Sequence, residues 1–162
     1  MRDADERRRR AHTLFLEAYR LHMTGRIDEA IAHYRESIAS HPTAEAHTFL
    51  GWAHSFQGDL DEAIAECQRA IAVDPDFGNP YNDIGSYLLK QGNLDEAIPW
   101  LERAIAARRY EPRHYPHCNL GRIYWAKGQL RRAITEFERA LELDPGSRFA
   151  QAALAALRQQ LQ

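Results

Sequence analysis

The sequence has few cysteines and no long apolar segment, and each absence excludes a class of protein. It contains only Cys67 and Cys118, which stand a whole repeat apart in the pattern described below, too far for a disulfide bond. We therefore expect free thiols in a reducing compartment. No run of about 18 apolar residues occurs, which predicts no membrane-spanning helix. The first ten residues lack the apolar core of a secretory signal, so we expect a cytoplasmic protein.

A strong charge of one sign and the common catalytic motifs are also missing. The formal net charge of -2 over 162 residues offers no overall attraction to nucleic acid or to an anionic membrane. There is no Gly-x-Ser-x-Gly, no phosphate-cradling glycine loop and no His-Glu-x-x-His. His114, His117 and Cys118 are close in sequence, but zinc would need a further ligand from elsewhere. We predict a non-enzymatic protein with no catalytic residue, metal or cofactor.

The sequence does contain an internal repeat. Glycine recurs at positions 25, 58, 92 and 128, and an alanine follows each one five residues later, in the pairs Gly25/Ala30, Gly58/Ala63, Gly92/Ala97 and Gly128/Ala133. A period of about 34 residues indicates a stack of equivalent units, none of which can bury its apolar face alone. We therefore expect an apolar core that continues through the stack.

Each unit is expected to contain two helices. After the alanine, apolar residues recur at helical spacing, as in Ala63, Cys67 and Ala70. Glycine inside a helix costs about 1 kcal/mol relative to alanine, so a recurring helical glycine predicts two helices that cross too closely for a side chain. Such a glycine follows an apolar residue in the first helix of three units, at Leu50-Gly51, Ile84-Gly85 and Leu120-Gly121.

Proline separates most of the units, at Pro42, Pro75 and Pro145. The third unit has Arg109 instead, with two extra residues behind it, so we expect a longer, exposed loop over 109–113. Residues 148–161 have strong helix propensity but no second arm. They are expected to cap the last unit, or alternatively to pair with another copy of the chain.

These features together resemble the tetratricopeptide repeat, a helix-turn-helix unit of 34 residues. The resemblance covers residues 11 to 147. It implies an all-α fold, a right-handed α-solenoid of four repeats in a single domain over 1–162. The expected repeats are about 11–43, 44–77, 78–113 and 114–147, and the capping helix is about 148–161.

The resemblance also implies that the first helices line a concave groove, which receives a peptide or a helix of a partner protein. The residues at the family's groove positions are aromatic at the two ends of the groove and polar in the middle. They include Phe15, Tyr19, His22, Trp52, Phe56, Asn82, Ser86, Lys90, Arg122 and Trp125. For Trp52 and Phe56, packing against neighbouring helices is an equal alternative.

Family members that bind chaperones hold a C-terminal carboxylate with paired lysines. This chain has Phe15 and Thr48 where the first of those lysines could stand, so we expect that clamp to be absent. A weaker anion contact through Arg122 and Asn82 stays open, because a guanidinium group can bind a carboxylate with two hydrogen bonds.

Three functions remain open from the sequence. The first is a protein-protein interaction module, for which we favour a monomer. The second is a scaffold that assembles with itself through the alanine- and leucine-rich final helix. The third is an accessory subunit of an enzyme complex, which would use the same groove.

Overall fold

The computed structural model describes all 162 residues, which form nine α-helices and no β-strand. Consecutive helices pack as four hairpins, each hairpin packs on the next, and the last helix covers the end of the stack. The predicted α-solenoid of four helical hairpins and a final helix is confirmed. The helices are α1 (Arg2–Met23), α2 (Ile27–Ser40), α3 (Ala44–Phe56), α4 (Leu60–Val73), α5 (Asn79–Lys90), α6 (Leu94–Ala106), α7 (His114–Ala126), α8 (Leu130–Leu143) and α9 (Arg148–Gln160).

The turn inside each hairpin depends on its glycine. The four glycines have φ between +73° and +81°, the left-handed region that other residues rarely adopt. At the second turn Asp59 caps the next helix, because its carboxylate accepts a hydrogen bond from the backbone N–H of Glu62 at 3.2 Å. Asn93, at the equivalent position of the third hairpin, makes no such cap.

The helical glycines lie where the two helices of a hairpin cross. A Cβ atom on Gly51 would lie 2.8 Å from the carbonyl oxygen of Ala63, and one on Gly121 would lie 2.7 Å from the ring of Phe137. Gly85 is equally crowded by Leu101. The predicted close crossings are therefore present in all three repeats that carry the motif.

The two ends of the stack are closed differently. Helix α1 begins at Arg2, well before the repeat pattern, and Ser37 Oγ of α2 donates to the carbonyl oxygen of Ala11 at 2.7 Å. Helix α9 buries Leu154 and Leu157 against α8, and its exposed residues are small or polar except for Phe149. It therefore caps the last hairpin, which was one of the two roles expected for residues 148–161.

The joint between the third and fourth hairpins is more ordered than predicted. The backbone N–H of Gly78 donates to the carbonyl oxygen of Arg109 at 2.9 Å, and the N–H of Arg109 donates to that of Asp76 at 3.0 Å. Tyr110 is buried, with 3 % of its surface exposed, against Gly78. The expectation of an exposed loop was wrong at Tyr110, because the extra residues let the chain turn back onto the preceding joint.

Arg109 replaces the missing proline by a set of polar contacts. Its guanidinium group lies 3.0 Å from the carboxylate of Glu45 and 2.5 Å from that of Asp74, and it stacks on the ring of Phe77. These partners belong to the second repeat and to the joint behind it. Arg109 therefore ties the irregular joint to the neighbouring repeat, where proline would only have stiffened the chain.

Candidate binding groove

The first two hairpins carry a continuous group of aromatic side chains, which we call the aromatic cluster. Helix α3 places Trp52 between two of its members, with ring centroids 4.2 Å from His22 and 5.4 Å from Phe56. Tyr19 of α1 meets Phe49 of α3 edge to face at 5.7 Å. Such tilted and edge-on contacts stabilise aromatic pairs beyond their burial. The cluster consists of Phe15, Tyr19, His22, Tyr34, Phe49, Trp52 and Phe56.

The members of the cluster differ in exposure. Phe56 is 61 % exposed and Tyr19 is 41 % exposed, whereas Phe15 and Trp52 are half-buried. Both sequence-based alternatives therefore apply to Trp52, because it packs on its neighbours and still presents part of the indole to solvent. The cluster offers exposed aromatic edges on a rigid, packed base.

His22 forms part of that base and is 4 % exposed. Its Nδ1 lies 3.1 Å from the hydroxyl of Tyr34 and its Nε2 has no hydrogen-bond partner. Burial lowers the pKa of His22 and raises that of Tyr34. A neutral imidazole therefore supports the cluster from beneath.

A cleft of about 500 Å³ lies between the aromatic cluster and the third hairpin. Its walls come from four first helices and from the irregular joint, which contributes Tyr110 and Pro112. Tyr115, in the first turn of α7, is half exposed at its edge. The lining residues are Tyr19, Thr48, Phe49, Trp52, Asn79, Asn82, Asp83, Tyr110, Pro112 and Tyr115.

Asp83 carries the only charge among the residues that line the cleft. Burial raises the pKa of its carboxyl group to about 7, and the amide of Asn82 and the positive charge of Lys90 oppose this rise without cancelling it. Asp83 forms no salt bridge, in contrast to Asp74 and Asp95. The cleft therefore contains an acidic group with no cationic partner in contact.

The third and fourth hairpins present polar side chains instead. The amide of Asn119 donates to the Oδ1 atom of Asn82 at 3.0 Å, and Arg122 Nη1 donates to the Oδ1 atom of Asn119 at 3.3 Å. Both asparagines are buried and Arg122 is exposed. We call these three residues the polar ladder. It links α5 to α7 and leaves the outer side of the guanidinium group available.

The predicted groove residues fall into three groups. Tyr19, Trp52 and Asn82 line the cleft. Phe15, His22 and Phe56 belong to the aromatic cluster beside it. Four others lie outside the cleft toward the C-terminal end, namely Ser86, Lys90, Arg122 and Trp125, of which Trp125 packs on Phe137 at 6.5 Å.

Sequence reasoning missed six of the ten residues that line the cleft. Phe49, Asn79 and Asp83 are on first helices but not at the family's groove positions. Tyr110 and Pro112 come from the irregular joint, whose extra residues were the one available signal. Tyr115 follows that joint directly, so its place in the cleft depends on the path of the loop.

Other titratable residues have structural partners. His47 lies 2.7 Å from Glu66 and His117 lies 2.7 Å from Glu136, each between the two helices of a hairpin. Burial raises the pKa of Glu66, but the hydrogen bond from His47 and the charge of Arg69 outweigh it and hold that pKa below its usual value. No group of three or more His, Cys, Asp or Glu is arranged to hold a metal ion.

Both cysteines are free and buried. Burial raises the pKa of the Cys118 thiol to about 11 and that of Cys67 well above its usual value, so neither is activated as a nucleophile. No helix has the length and apolar character that crossing a membrane requires.

The repeat pattern, the paired helices and the helical glycines define an array of tetratricopeptide repeats. Models of the tetratricopeptide repeat family match residues 15–80 and residues 76–145. The chain belongs to this family. No curated protein matches it in sequence.

Solved structures share the fold at low sequence identity. PilF from Pseudomonas aeruginosa superposes with a TM-score of 0.87 at 23% identity, over 97% of this chain and 70% of that one. PilW, described as a widely conserved type IV pilus biogenesis factor, gives 0.84 at 20% identity, over 93% and 69%. The first tetratricopeptide domain of Spaghetti (RPAP3), bound to an HSP90 peptide, gives 0.67 at 24% identity, over 74% and 93%.

Proposed function

We propose that this protein is a non-enzymatic interaction module that binds a peptide or a helix of a partner protein in the groove formed by its first helices. The observation that carries the proposal is the aromatic cluster, whose exposed edges at Tyr19 and Phe56 open beside the cleft. An exposed aromatic side chain that becomes buried on binding contributes about 1.5 to 3 kcal/mol. A rigid base reduces the entropy that binding would otherwise cost.

The two ends of the groove have different roles in this proposal. Tyr19, Trp52 and Phe56 anchor the apolar side chains of the partner. Lys90, Arg122 and the outer part of the polar ladder contact its backbone or its acidic groups, because both cations are exposed. Trp125 is a second apolar anchor at the C-terminal end.

The peptide complex of the RPAP3 domain supports a peptide as the ligand, since the same fold holds one there. The absence of paired lysines at the first helices argues for a different peptide in this chain. We propose a segment with apolar side chains near its centre, matched to the aromatic cluster, and no requirement for a free C-terminal carboxylate.

We also propose that the protein acts as a monomer. The leucines of α9 that a second copy would need, Leu154 and Leu157, are already buried against α8, which leaves Phe149 as the one large apolar side chain exposed on that helix. Light scattering should give one protomer mass at all concentrations tested. A mass that rises with concentration would favour the self-assembling scaffold instead.

The binding proposal is tested by selecting ligands from a random nine-residue peptide library and measuring each enriched peptide by fluorescence anisotropy. Phe56→Ala and Tyr19→Ala should each weaken binding about tenfold, because each removes an exposed anchor. Val73→Ala is the control, since Val73 is 45 % exposed on α4, a second helix that does not belong to the groove. It should leave the affinity unchanged.

Two outcomes would contradict the proposal. The library could yield no peptide that binds above background. Alternatively, the enriched peptides could bind both groove variants as tightly as the original protein, which would place the binding surface elsewhere.

A further inference from the structure

The cleft contains a charge that nothing in the protein neutralises by contact. Asp83 is half-buried on α5, and the lining residues include no lysine, arginine or histidine. The one cation that acts on it, Lys90, is exposed seven residues later on the same helix and forms no salt bridge. A partly desolvated carboxylate gains free energy when a cation takes the place of its lost water.

The remaining walls suit a particular kind of cation. Aromatic rings of Tyr19, Phe49, Trp52, Tyr110 and Tyr115 surround the cleft. The faces of such rings attract lysine and arginine cations, and their apolar surface accepts the methylene groups of the same side chains. A metal ion would instead need several strong ligands, and no group of three or more His, Cys, Asp or Glu side chains lies here.

The cleft is large enough to accept a long side chain. A volume of about 500 Å³ lies inside the range of sites that hold small molecules, so an arginine or lysine side chain has room there. The cleft is also open toward the exposed edge of Tyr115, so a peptide in the groove could direct one long side chain into it.

We infer that the cleft is a specificity pocket for an arginine or lysine side chain of the bound peptide, with the cation against the Asp83 carboxylate and the methylene groups against the aromatic walls. This inference rests on the proposed function, because it assumes a peptide in the groove. It predicts a ligand that has one basic residue beside its apolar ones. The attraction is local to Asp83, because the net charge of the whole protein is only -2.

The test uses four immobilised pools of random eight-residue peptides, with arginine, lysine, citrulline or glutamate fixed at a central position. Citrulline has the shape of arginine without its charge. Fluorescently labelled protein should be retained about fivefold more by the arginine and lysine pools than by the citrulline pool. The glutamate pool should retain least.

Three variants assign that preference to the pocket. Asp83→Asn should remove the preference for arginine over citrulline while circular dichroism shows unchanged helicity. Tyr115→Ala alters an exposed wall of the cleft and should reduce the same preference. Glu102→Gln removes the same charge from an exposed position on α6, outside the cleft, and should leave that preference unchanged.

The outcomes separate this inference from the proposed function. Equal retention by the arginine and citrulline pools would overturn the inference and leave peptide binding intact. A preference that survives Asp83→Asn would also overturn it, since the basic residue would then bind elsewhere. If no pool retained the protein above peptide-free resin, the proposed function itself would fail.

Discussion

The two ends of the groove are built on the same helical hairpin but stabilised by different interactions. In the first two repeats, aromatic rings pack on one another, and Tyr34 at the base is completely buried. In the last two repeats, a hydrogen bond from Asn119 to Asn82 joins neighbouring first helices, and Arg122 donates to Asn119 within α7. The backbone therefore fixes where groove residues stand, whereas the side chains decide whether that surface is apolar or polar.

The two regions also differ in the direction in which burial shifts the pKa of a side chain. Burial lowers the pKa of His22 beneath the aromatic cluster, so its stabilising contribution is present above the unfolded value of 6.5 and is lost as the pH falls from there toward the folded pKa. Burial raises the pKa of Asp83 to about 7, so its contribution is lost as the pH rises toward 7. The two regions therefore respond to pH in opposite directions.

The largest expected effect comes from removing the base of the aromatic cluster. Tyr34→Ala should lower the free energy of unfolding by about 4 kcal/mol, because it leaves a large cavity at a fully buried site. Urea denaturation measures this loss. Tyr34→Phe removes only the hydroxyl group opposite His22 and should cost about 1 kcal/mol. Equal losses for the two variants would show that the hydrogen bond, not ring packing, holds this end.

A smaller effect is expected from breaking the polar ladder. Asn119→Ala leaves the Oδ1 atom of Asn82 buried without its donor, which should cost about 2 kcal/mol of unfolding free energy. Asn82→Ala in the Asn119→Ala background should then cost much less than in the original protein. Additive losses in this double-mutant cycle would mean that the two asparagines act independently.

The smallest effect concerns Asp83 and depends on pH. Its folded pKa of about 7 lies above the unfolded value of 3.8, so the folded protein binds the extra proton and stability falls between these values as the pH rises. Asp83→Asn resembles the neutral acid. It should be about 1 kcal/mol more stable than the original protein at pH 8, well below the full value of the shift because the side chain remains partly exposed.

Thermal or urea unfolding of both proteins at pH 5 and pH 8 measures that difference. The advantage of Asp83→Asn should shrink at pH 5, where more of the original carboxyl group is already protonated. A constant advantage at both pH values would contradict the elevated pKa of Asp83.

The repeats and their helices could be predicted because each depends on local chemistry that recurs. The turn glycines require positive φ, and the helical glycines at Gly51, Gly85 and Gly121 have no room for a side chain. Four copies in phase made these weak signals strong. Three residues at the family's groove positions, Tyr19, Trp52 and Asn82, line the cleft, and their role in binding stays a prediction.

The rest of the cleft could not be predicted in this way. Tyr110 is buried because its backbone neighbours pair with residues 76–78, a contact between two joints that no local pattern indicates. The setting of Asp83 arises from burial by surrounding helices and that joint. His22, expected to line the groove, turned out to lie beneath it, since Tyr34 and Trp52 cover its ring.

The amino-acid sequence alone determined the helices, their turns and the order of the repeats, because these depend on residues close together in the chain. Only the tertiary structure decided which side chains meet in the cleft and which charge stays without a partner. The reason is physical, since burial and the environment of a charge depend on distant segments brought into contact, whereas helix and turn formation depend on near neighbours.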